Sequence, residues 1–467
     1  MTGRGQSRTI TTVSVAALVA ASSISWAQQS DAPTGTRFTL DLSAGASVDT
    51  NEGLDDPSLG TTTRTNIGAT FGLFDETEVS QLALSILTRA ELAESPDPGV
   101  DGFDLRIPSG TLAYTREGPD SRLDLAGRYF YDRVDDDVVV FLDENLNPVD
   151  LIVDGGDLRR ITLGADLSLG IESPIGFDGS LFLDDRDYIG TTDPDLFDRV
   201  AWGGDGSLRF NLTSVMSGSL SASYARRDED DVGDPLTESF SYGAGLAYQL
   251  DEITSFSAGV SYTTVEETIF DVTSTENEGW GFDIGAQREV RDGTIGASLS
   301  RVVDESSTRT VLSFERAREL PDGRLSYRLG YSFADEDDES ENGFVGGLDY
   351  RRNLRTGSIT ANATQEFRSN DDGDDTLVTR IALAYNQEIN SVSSVGVNFG
   401  LGRSDEVGGS GEVDTRANVG VTYRHALTRE WDWVLGYEAR YLREDSDDTA
   451  TGNRVFTLID RSFTLRP

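Results

Sequence analysis

Three residue types that often carry chemistry are missing or nearly missing from this chain of 467 residues. It has no Cys and no Lys, and its single His is His425. Without Cys there is no disulfide framework, no thiolate nucleophile and no Cys-ligated metal. Without Lys there is no Schiff base and no P-loop lysine, and one His leaves no His pair for a metal. The sequence therefore predicts no cofactor.

Positive charge is also scarce. The chain has 82 Asp and Glu against 39 basic residues, all of them Arg, which gives a net charge of −43. A field of this sign repels phosphate, so the composition argues against a nucleic acid as partner. Hydrophobic residues make up 37% of the chain, which is low for a large soluble core and too high for a disordered chain.

The N-terminal segment 1–27 has the layout of a secretory signal peptide. Arg4 and Arg8 give a positive start, the apolar run 13–21 follows, and small residues precede a cleavage site after Ala27. The apolar run is too short to span a bilayer. We therefore expect a mature chain 28–467 that forms a single β-barrel domain after a short lead, 28–36.

Strict alternation of apolar and polar residues runs through the mature chain. In 238–250, ESFSYGAGLAYQL, large apolar side chains occupy every second position, and small or polar residues lie between them. This pattern is typical of a strand with one apolar and one polar face. It recurs from Phe38 to the last strand, 454–466, and helical periodicity is hard to find.

The connections between the alternating segments are of two kinds. Ten short turns, such as 117–121 and 251–254, are interleaved with eleven connections that are mostly longer and acidic, such as 135–158, 227–237 and 265–277. This count predicts an all-β protein, a transmembrane antiparallel up-and-down β-barrel of about 22 strands, with 16–22 as the range. A soluble sandwich is the alternative, but its strands are shorter and its two ends need not differ in loop length.

The signal peptide, the long alternating strands, the turn and loop asymmetry and the final strand with Phe463 together resemble bacterial outer-membrane β-barrel proteins of the porin type. The resemblance implies the outer membrane of a Gram-negative bacterium, with both chain termini in the periplasm. It also implies contact with outer-membrane lipid and lipopolysaccharide. Because only about ten mature residues precede the first strand, we expect no plug domain.

If the apolar face meets lipid, the polar face lines a wet lumen. The sequence then predicts a porin-like channel for passive diffusion of small polar or ionic solutes, modestly cation-selective because its loops are acidic. The side chains that we expect to line the pore are Arg128, Asp166, Asp205, Asp283, Arg328, Asp349, Arg380, Arg416, Glu438 and Arg440.

Several alternatives stay open at the level of sequence. An exporter or assembly barrel for a surface polysaccharide has the same strand pattern. A barrel enzyme is disfavoured because its chemistry needs a base, usually His, at the extracellular rim, and the only His lies beside a short turn at the other end. The loop 135–158 either enters the lumen or extends two strands upward, and homo-oligomerisation is undecided. Weak candidate ligands for divalent cations are Asp371, Asp372, Asp374 and Asp375.

Overall fold

The chain folds into one closed sheet. The computed structural model describes residues 35–54, 57–96, 102–133, 157–189, 197–230, 235–270, 272–303, 308–334, 342–369, 375–406, 413–443 and 449–466. Over these ranges 22 antiparallel strands pair, each with the next in the chain. In the same ranges no helix is long and apolar enough to cross a membrane.

The strands are 11 to 19 residues long. In chain order they are β1 (Gly35–Asp49), β2 (Thr62–Glu76), β3 (Ser80–Glu94), β4 (Gly102–Gly118), β5 (Ser121–Arg133), β6 (Asp157–Leu169), β7 (Ile175–Ile189), β8 (Arg199–Asn211), β9 (Met216–Glu229), β10 (Leu236–Gln249), β11 (Thr254–Ile269), β12 (Val272–Val290), β13 (Gly293–Val303), β14 (Thr308–Leu320), β15 (Gly323–Ala334), β16 (Gly343–Leu354), β17 (Gly357–Ser369), β18 (Asp375–Asn390), β19 (Ser393–Glu406), β20 (Val413–Ala426), β21 (Trp431–Arg443) and β22 (Thr449–Leu465).

The first and last strands close the barrel. β1 pairs with β2 on one side and with β22 on the other, from Phe38 opposite Leu465 to Asp49 opposite Arg454. Closure leaves no strand at an open edge, so backbone N–H and C=O groups along the ring have partners within the chain. We call the β1–β22 pairing the seam.

The outer face of the barrel carries the large apolar side chains. Phe240, Tyr242 and Leu246 on β10 are 48, 50 and 44% exposed, and many apolar residues of other strands share this exposure. Only eight apolar side chains are buried in the described part of the chain. An exposed apolar exterior without a conventional core is what a barrel surrounded by lipid requires.

Aromatic side chains on the outer face gather toward the ends of the strands. Toward the loop ends of β8, β9, β11 and β12, Trp202 packs on Tyr224 with ring centroids 5.4 Å apart, and Tyr262 packs edge-on against Trp280 at 5.2 Å. Near the turn ends, Tyr423 packs against Trp433 at 6.1 Å. Rings at these two levels match the interfacial positions at which membrane barrels concentrate amphipathic aromatics.

The two ends of the barrel differ as the sequence predicts. The ten turns have two to five residues, such as 119–120 and 170–174, and the longest connection at the other end is 134–156. That connection lies outside the described residues, so its entry into the lumen is untested. Both the start of β1 and the end of β22 lie at the turn end.

The connection predicted at 265–277 is instead mostly strand. β11 and β12 continue as a ladder to Ile269 opposite Val272, with a register shift at Glu267. Pairing of backbone groups needs no apolar side chain, and the Thr and Val residues here favour strand conformation, so the ladder outlasts the apolar stripe. Phe270, at φ 52°, is 72% exposed at the tip.

Adjacent turns are tied together by an aspartate. Asp120, in the β4–β5 turn, accepts hydrogen bonds from Ser173 Oγ at 2.6 Å and from the backbone amide of Glu172 at 2.7 Å, both in the β6–β7 turn. These two hydrogen bonds hold the pKa of Asp120 below its usual value, and the one from Ser173 has the larger effect. The ionised carboxylate therefore links two neighbouring hairpins.

We predict that a single Cys at Leu59 is labelled on intact cells by a membrane-impermeant maleimide and that a single Cys at Arg355 is not. Leu59 is exposed in the β1–β2 loop, and Arg355 is exposed in the β16–β17 turn at the opposite end. The chain has no native Cys, so each variant carries one label site. Labelling at Arg355 but not at Leu59 would reverse the proposed orientation, with its periplasmic termini.

We predict that Asp120→Asn lowers the thermal unfolding midpoint at pH 7 and that the difference from the unsubstituted protein shrinks in acid. Because the folded pKa is depressed, this stabilisation is complete above the unfolded pKa of about 3.9 and is lost as the pH falls through the folded pKa. The midpoint is measured by circular dichroism in detergent from about pH 3 to about pH 7, a range that includes the unfolded pKa. Asp322→Asn, in the β14–β15 turn, is the control, and a pH-independent difference for Asp120→Asn would contradict the linkage.

Candidate functional site

The inner face of the barrel is assigned by the pairing register. Residues opposite each other on paired strands share a face, so the apolar outer positions of one strand fix those of its neighbours. On β5, for example, Leu123 and Leu125 pair with Leu167 and Ala165 of β6 on the outer face. Positions between them point to the lumen.

By this register the ten predicted pore residues all lie on the inner face, but they do not converge on one constriction. Arg128, Asp166 and Asp205 are on the wall formed by β5–β8, and the others are distributed over β12 to β21. Three of the residues on β16 to β21 have contacts with neighbouring strands. Arg380 lies 3.6 Å from Glu366, Asp349 accepts a hydrogen bond from Asn362 at 2.7 Å, and Glu438 accepts one from Asn418 at 3.3 Å. Asp283 on β12, Arg328 on β15 and Arg416 on β20 complete the set.

The candidate cation ligands are largely outside the described residues. This holds for Asp371, Asp372 and Asp374, and of Asp375 the structure describes only the backbone, as the first residue of β18. Elsewhere in the described ranges, no group of three or more His, Asp or Glu side chains is arranged to hold a metal ion.

The most buried charged residue in the described part of the barrel is Arg440, on the inner face beside the seam. None of its side chain is exposed. It forms a salt bridge with Asp49 and donates to the backbone oxygens of Asn51 at 3.2 Å and Glu52 at 3.3 Å. The start of the β1–β2 loop is thus folded against the inner wall and bound to β21.

Neighbouring residues complete this attachment, which we call the seam cluster. Glu52 forms a salt bridge with Arg64 of β2 at 2.6 Å, and Arg64 also pairs with Glu91 of β3. Leu54 is buried against Leu442 and Ala450. The cluster comprises Asp49, Asn51, Glu52, Leu54, Arg64, Glu91, Arg440, Leu442, Ala450 and Gly452.

Gly452 is required by the close approach of the loop. A Cβ at this position would lie 2.6 Å from the backbone oxygen of Asn51 and 3.0 Å from Leu54. Leu54 itself has a positive φ of 49°, which is strained for a non-glycine residue. Buried contacts therefore hold the start of the β1–β2 loop in this strained conformation.

Of the seam cluster, the sequence prediction included only Arg440. Its partners Asp49 and Asn51 are 391 and 389 residues away along the chain. The available signal was Leu54, one of two leucines in an otherwise polar and acidic connection.

A second charged region lies on the wall formed by β5–β9. Residues that lie opposite each other on successive strands form a row across the wall. Two adjacent inner rows near the loop end contain five arginines and two buried carboxylates, Asp184 and Glu229. Arg160 binds Asp184 through both carboxylate oxygens at 2.9 and 2.6 Å, and Arg227 lies 3.0 Å from Glu229. We call the five arginines the arginine band: Arg128, Arg160, Arg186, Arg199 and Arg227.

Carboxylates lie toward the turn end of the same wall. Asp124 is directly opposite Asp166, Asp166 is opposite Ser180, and Ser180 is opposite Asp205, so the three aspartates share one inner row. We call Asp124, Asp166 and Asp205 the acidic row. Asp124 is bound by Arg122 at 2.6 Å, and Asp205 accepts from Ser180.

The only His lies at the turn end of β20, as the sequence indicated. His425 Nδ1 lies 2.8 Å from Ser393 Oγ, and its ring stacks on Tyr423 with an interplanar angle of 11°. Ser393 is buried. A buried hydroxyl beside an imidazole packed on a tyrosine ring serves to anchor the β18–β19 and β20–β21 turns to each other.

Comparison with known proteins identifies the fold and no sequence family. No protein-family model matches the chain, and no curated protein is similar to it in sequence. Solved structures that match it include the FrpB iron transporter from Neisseria meningitidis, with 7% identity, TM-score 0.58, and coverage of 92% of this chain and 83% of that one. The ferric-catecholate import receptor Fiu from E. coli K12 matches with 10% identity, TM-score 0.57 and coverage of 91% and 81%. The copper transporter OprC matches with 11% identity, TM-score 0.55 and coverage of 92% and 80%.

These similarities support an outer-membrane β-barrel and correct two predictions. The similar proteins are transporters and receptors for iron compounds and copper, and the 22-stranded outer-membrane transporters have a plugged lumen. The prediction of a fold without a plug domain is therefore wrong for this class of barrel. The prediction of a porin-like channel for passive, cation-selective diffusion is also wrong, since the similar structures are transporters and receptors. That prediction rested on strand alternation, which barrels of both kinds share.

We predict that Arg440→Ala lowers the free energy of unfolding by about 3–5 kcal/mol, because it leaves Asp49 buried without its charge partner. The measurement is the urea midpoint in detergent, followed by the loss of heat-modifiable mobility on gels. The matched control is Arg424→Ala, an exposed arginine on the inner face of β20, for which we expect a change within about 0.5 kcal/mol. Equal effects of the two substitutions would show that the seam cluster does not stabilise the barrel.

Proposed function

We propose that this protein is an outer-membrane barrel of the receptor type, which admits a selected small solute from outside the cell. The observation that carries the proposal is the closed ring of 22 strands, which matches an iron transporter, a ferric-catecholate receptor and a copper transporter over more than 90% of its length. Barrels with this number of strands in the outer membrane are typically transporters with a controlled lumen.

The inner wall supports selection by the chemistry of the solute. The arginine band and the acidic row are separate regions of opposite charge on one wall, and several of their members are fixed by salt bridges within the sheet. Charged groups held on strands are positioned more precisely than groups on loops, which favours recognition of a particular solute. The outer face, with its apolar side chains and aromatic belts, supports a location in the membrane.

The loop end of the barrel supports control of access. The first loop is bound to the inner wall through the seam cluster, so part of the lumen cross-section near the loop end is occupied by residues 50–54. A loop attached in this way restricts passage in a manner that an unobstructed ring of strands would not. We place the chain termini in the periplasm, on the side of the short turns.

The test is permeability of proteoliposomes to uncharged sugars of increasing size. We expect swelling rates in arabinose, glucose, sucrose and stachyose to remain close to those of protein-free liposomes, because a receptor-type barrel does not pass solutes it does not bind. Liposomes that contain a general diffusion porin are the positive control. Rapid swelling that falls smoothly with sugar mass would contradict the proposal.

A further inference from the structure

The arginine band and the acidic row lie on the same strands, at a fixed separation. On β5, Arg128 and Asp124 are four residues apart and both point to the lumen. At about 3.3 Å per residue, this places their Cα atoms roughly 13 Å apart along the strand. One wall of the lumen therefore has a positive region toward the loop end and a negative region toward the turn end.

Within the described inner rows, each of the two regions keeps a net charge of one sign. Five arginines of the band face two carboxylates, Asp184 and Glu229, in the two rows they occupy. The acidic row has three carboxylates, and Arg122 lies against one of them, Asp124. The basic region is thus positive within a chain of net charge −43, and the acidic region beneath it is negative.

The inner row between the two regions is uncharged and, apart from Phe182, consists of small residues. Across β5 to β9 it contains, in register, Ala126, Gly164, Phe182, Gly203 and Ala225. A Cβ on Gly203 would lie 2.8 Å from the Phe182 ring, so the ring lies over the glycine. The result is a shallow groove with one aromatic surface, flanked by opposite charges.

We propose that this groove binds an extended zwitterionic solute of the oligopeptide class, with its carboxylate on the arginine band and its ammonium group on the acidic row. Extended tetraglycine separates its terminal charges by roughly 13 Å, which matches the spacing of the two regions. Arginine pairs with carboxylates through geometrically specific charge-assisted hydrogen bonds, and Phe182 offers a surface for the backbone between the termini. The inference rests on the proposed uptake of a selected solute and names its class.

The two residues best suited to a test are Arg128 and Asp166. Both side chains are exposed to the lumen, and Arg128 lies 5.3 Å from the ring of Phe130, on which it stacks. Their replacement by Gln and Asn should disturb the wall less than replacement of Arg160, which is hydrogen-bonded to the buried Asp184. Correct folding is checked by heat-modifiable mobility on gels.

The experiment is equilibrium dialysis of the purified full chain in detergent against three radiolabelled probes. The probes are tetraglycine, which has both charges, N-acetyl-tetraglycine, which has only the carboxylate, and tetraglycine amide, which has only the ammonium group. We expect tetraglycine to bind at least about tenfold more tightly than either single-charge probe, because a hydrogen bond to a charged group commonly contributes this much. Binding should weaken at high salt.

The variants separate the two ends of the groove. Arg128→Gln should weaken tetraglycine and N-acetyl-tetraglycine about tenfold and leave the amide unchanged, whereas Asp166→Asn should weaken tetraglycine and the amide and leave the acetylated probe unchanged. Matched controls are Arg351→Gln and Asp414→Asn, on inner faces of β16 and β20, for which we expect no change.

Equal binding of tetraglycine and N-acetyl-tetraglycine would overturn the zwitterion proposal, as would equal effects of the test and control substitutions. Either result would leave the sugar-permeability outcome intact, because that assay uses solutes without charge. Conversely, non-selective swelling together with the expected peptide binding would refute the receptor function and keep the binding site.

Discussion

The structure depends on one constraint: a sheet surrounded by lipid has to satisfy its backbone hydrogen bonds within itself. Each unpaired N–H or C=O group in hydrocarbon costs several kcal/mol, so an open edge is not tolerated. All pairings in this barrel but one join strands that are consecutive in the chain, and the exception is β1 with β22. The whole barrel therefore depends on a contact between the two strands that are farthest apart along the chain. Beside this contact lies the most buried salt bridge of the described residues, Arg440 with Asp49.

The fold was predictable from the sequence to the extent that it is periodic. Alternation and the interleaving of short turns with longer loops determined the number of strands, the pairing of neighbours and the face of each residue, because a period of two leaves no freedom in assigning sides. The error at 265–277 shows the limit. The apolar stripe ends where the lipid ends, but the β11–β12 ladder continues beyond it, since backbone pairing does not require an apolar face.

The candidate sites were less predictable, for reasons of distance and neighbourhood. Alternation placed Arg128, Asp166 and Asp205 on the inner face, but only the register between strands places Asp124, Asp166 and Asp205 in one row and gathers Arg160, Arg186 and Arg199. The seam cluster joins residues nearly 400 positions apart, which no local pattern indicates. The sequence could not predict the class of transport either. Strand alternation describes the wall of a barrel and carries no information on how passage through its interior is controlled.

Closure between β1 and β22 also makes the position of the chain ends arbitrary with respect to the ladder. Gly35 and Leu465 both lie at the turn end, so a linker between the first and last strands would resemble the ten turns already present. The chain could then be opened at any other turn, for example between β12 and β13, to give a circular permutant with an unchanged set of strand pairs. In such a permutant the present seam becomes an ordinary hairpin, and the burial of Arg440 no longer depends on the meeting of distant segments.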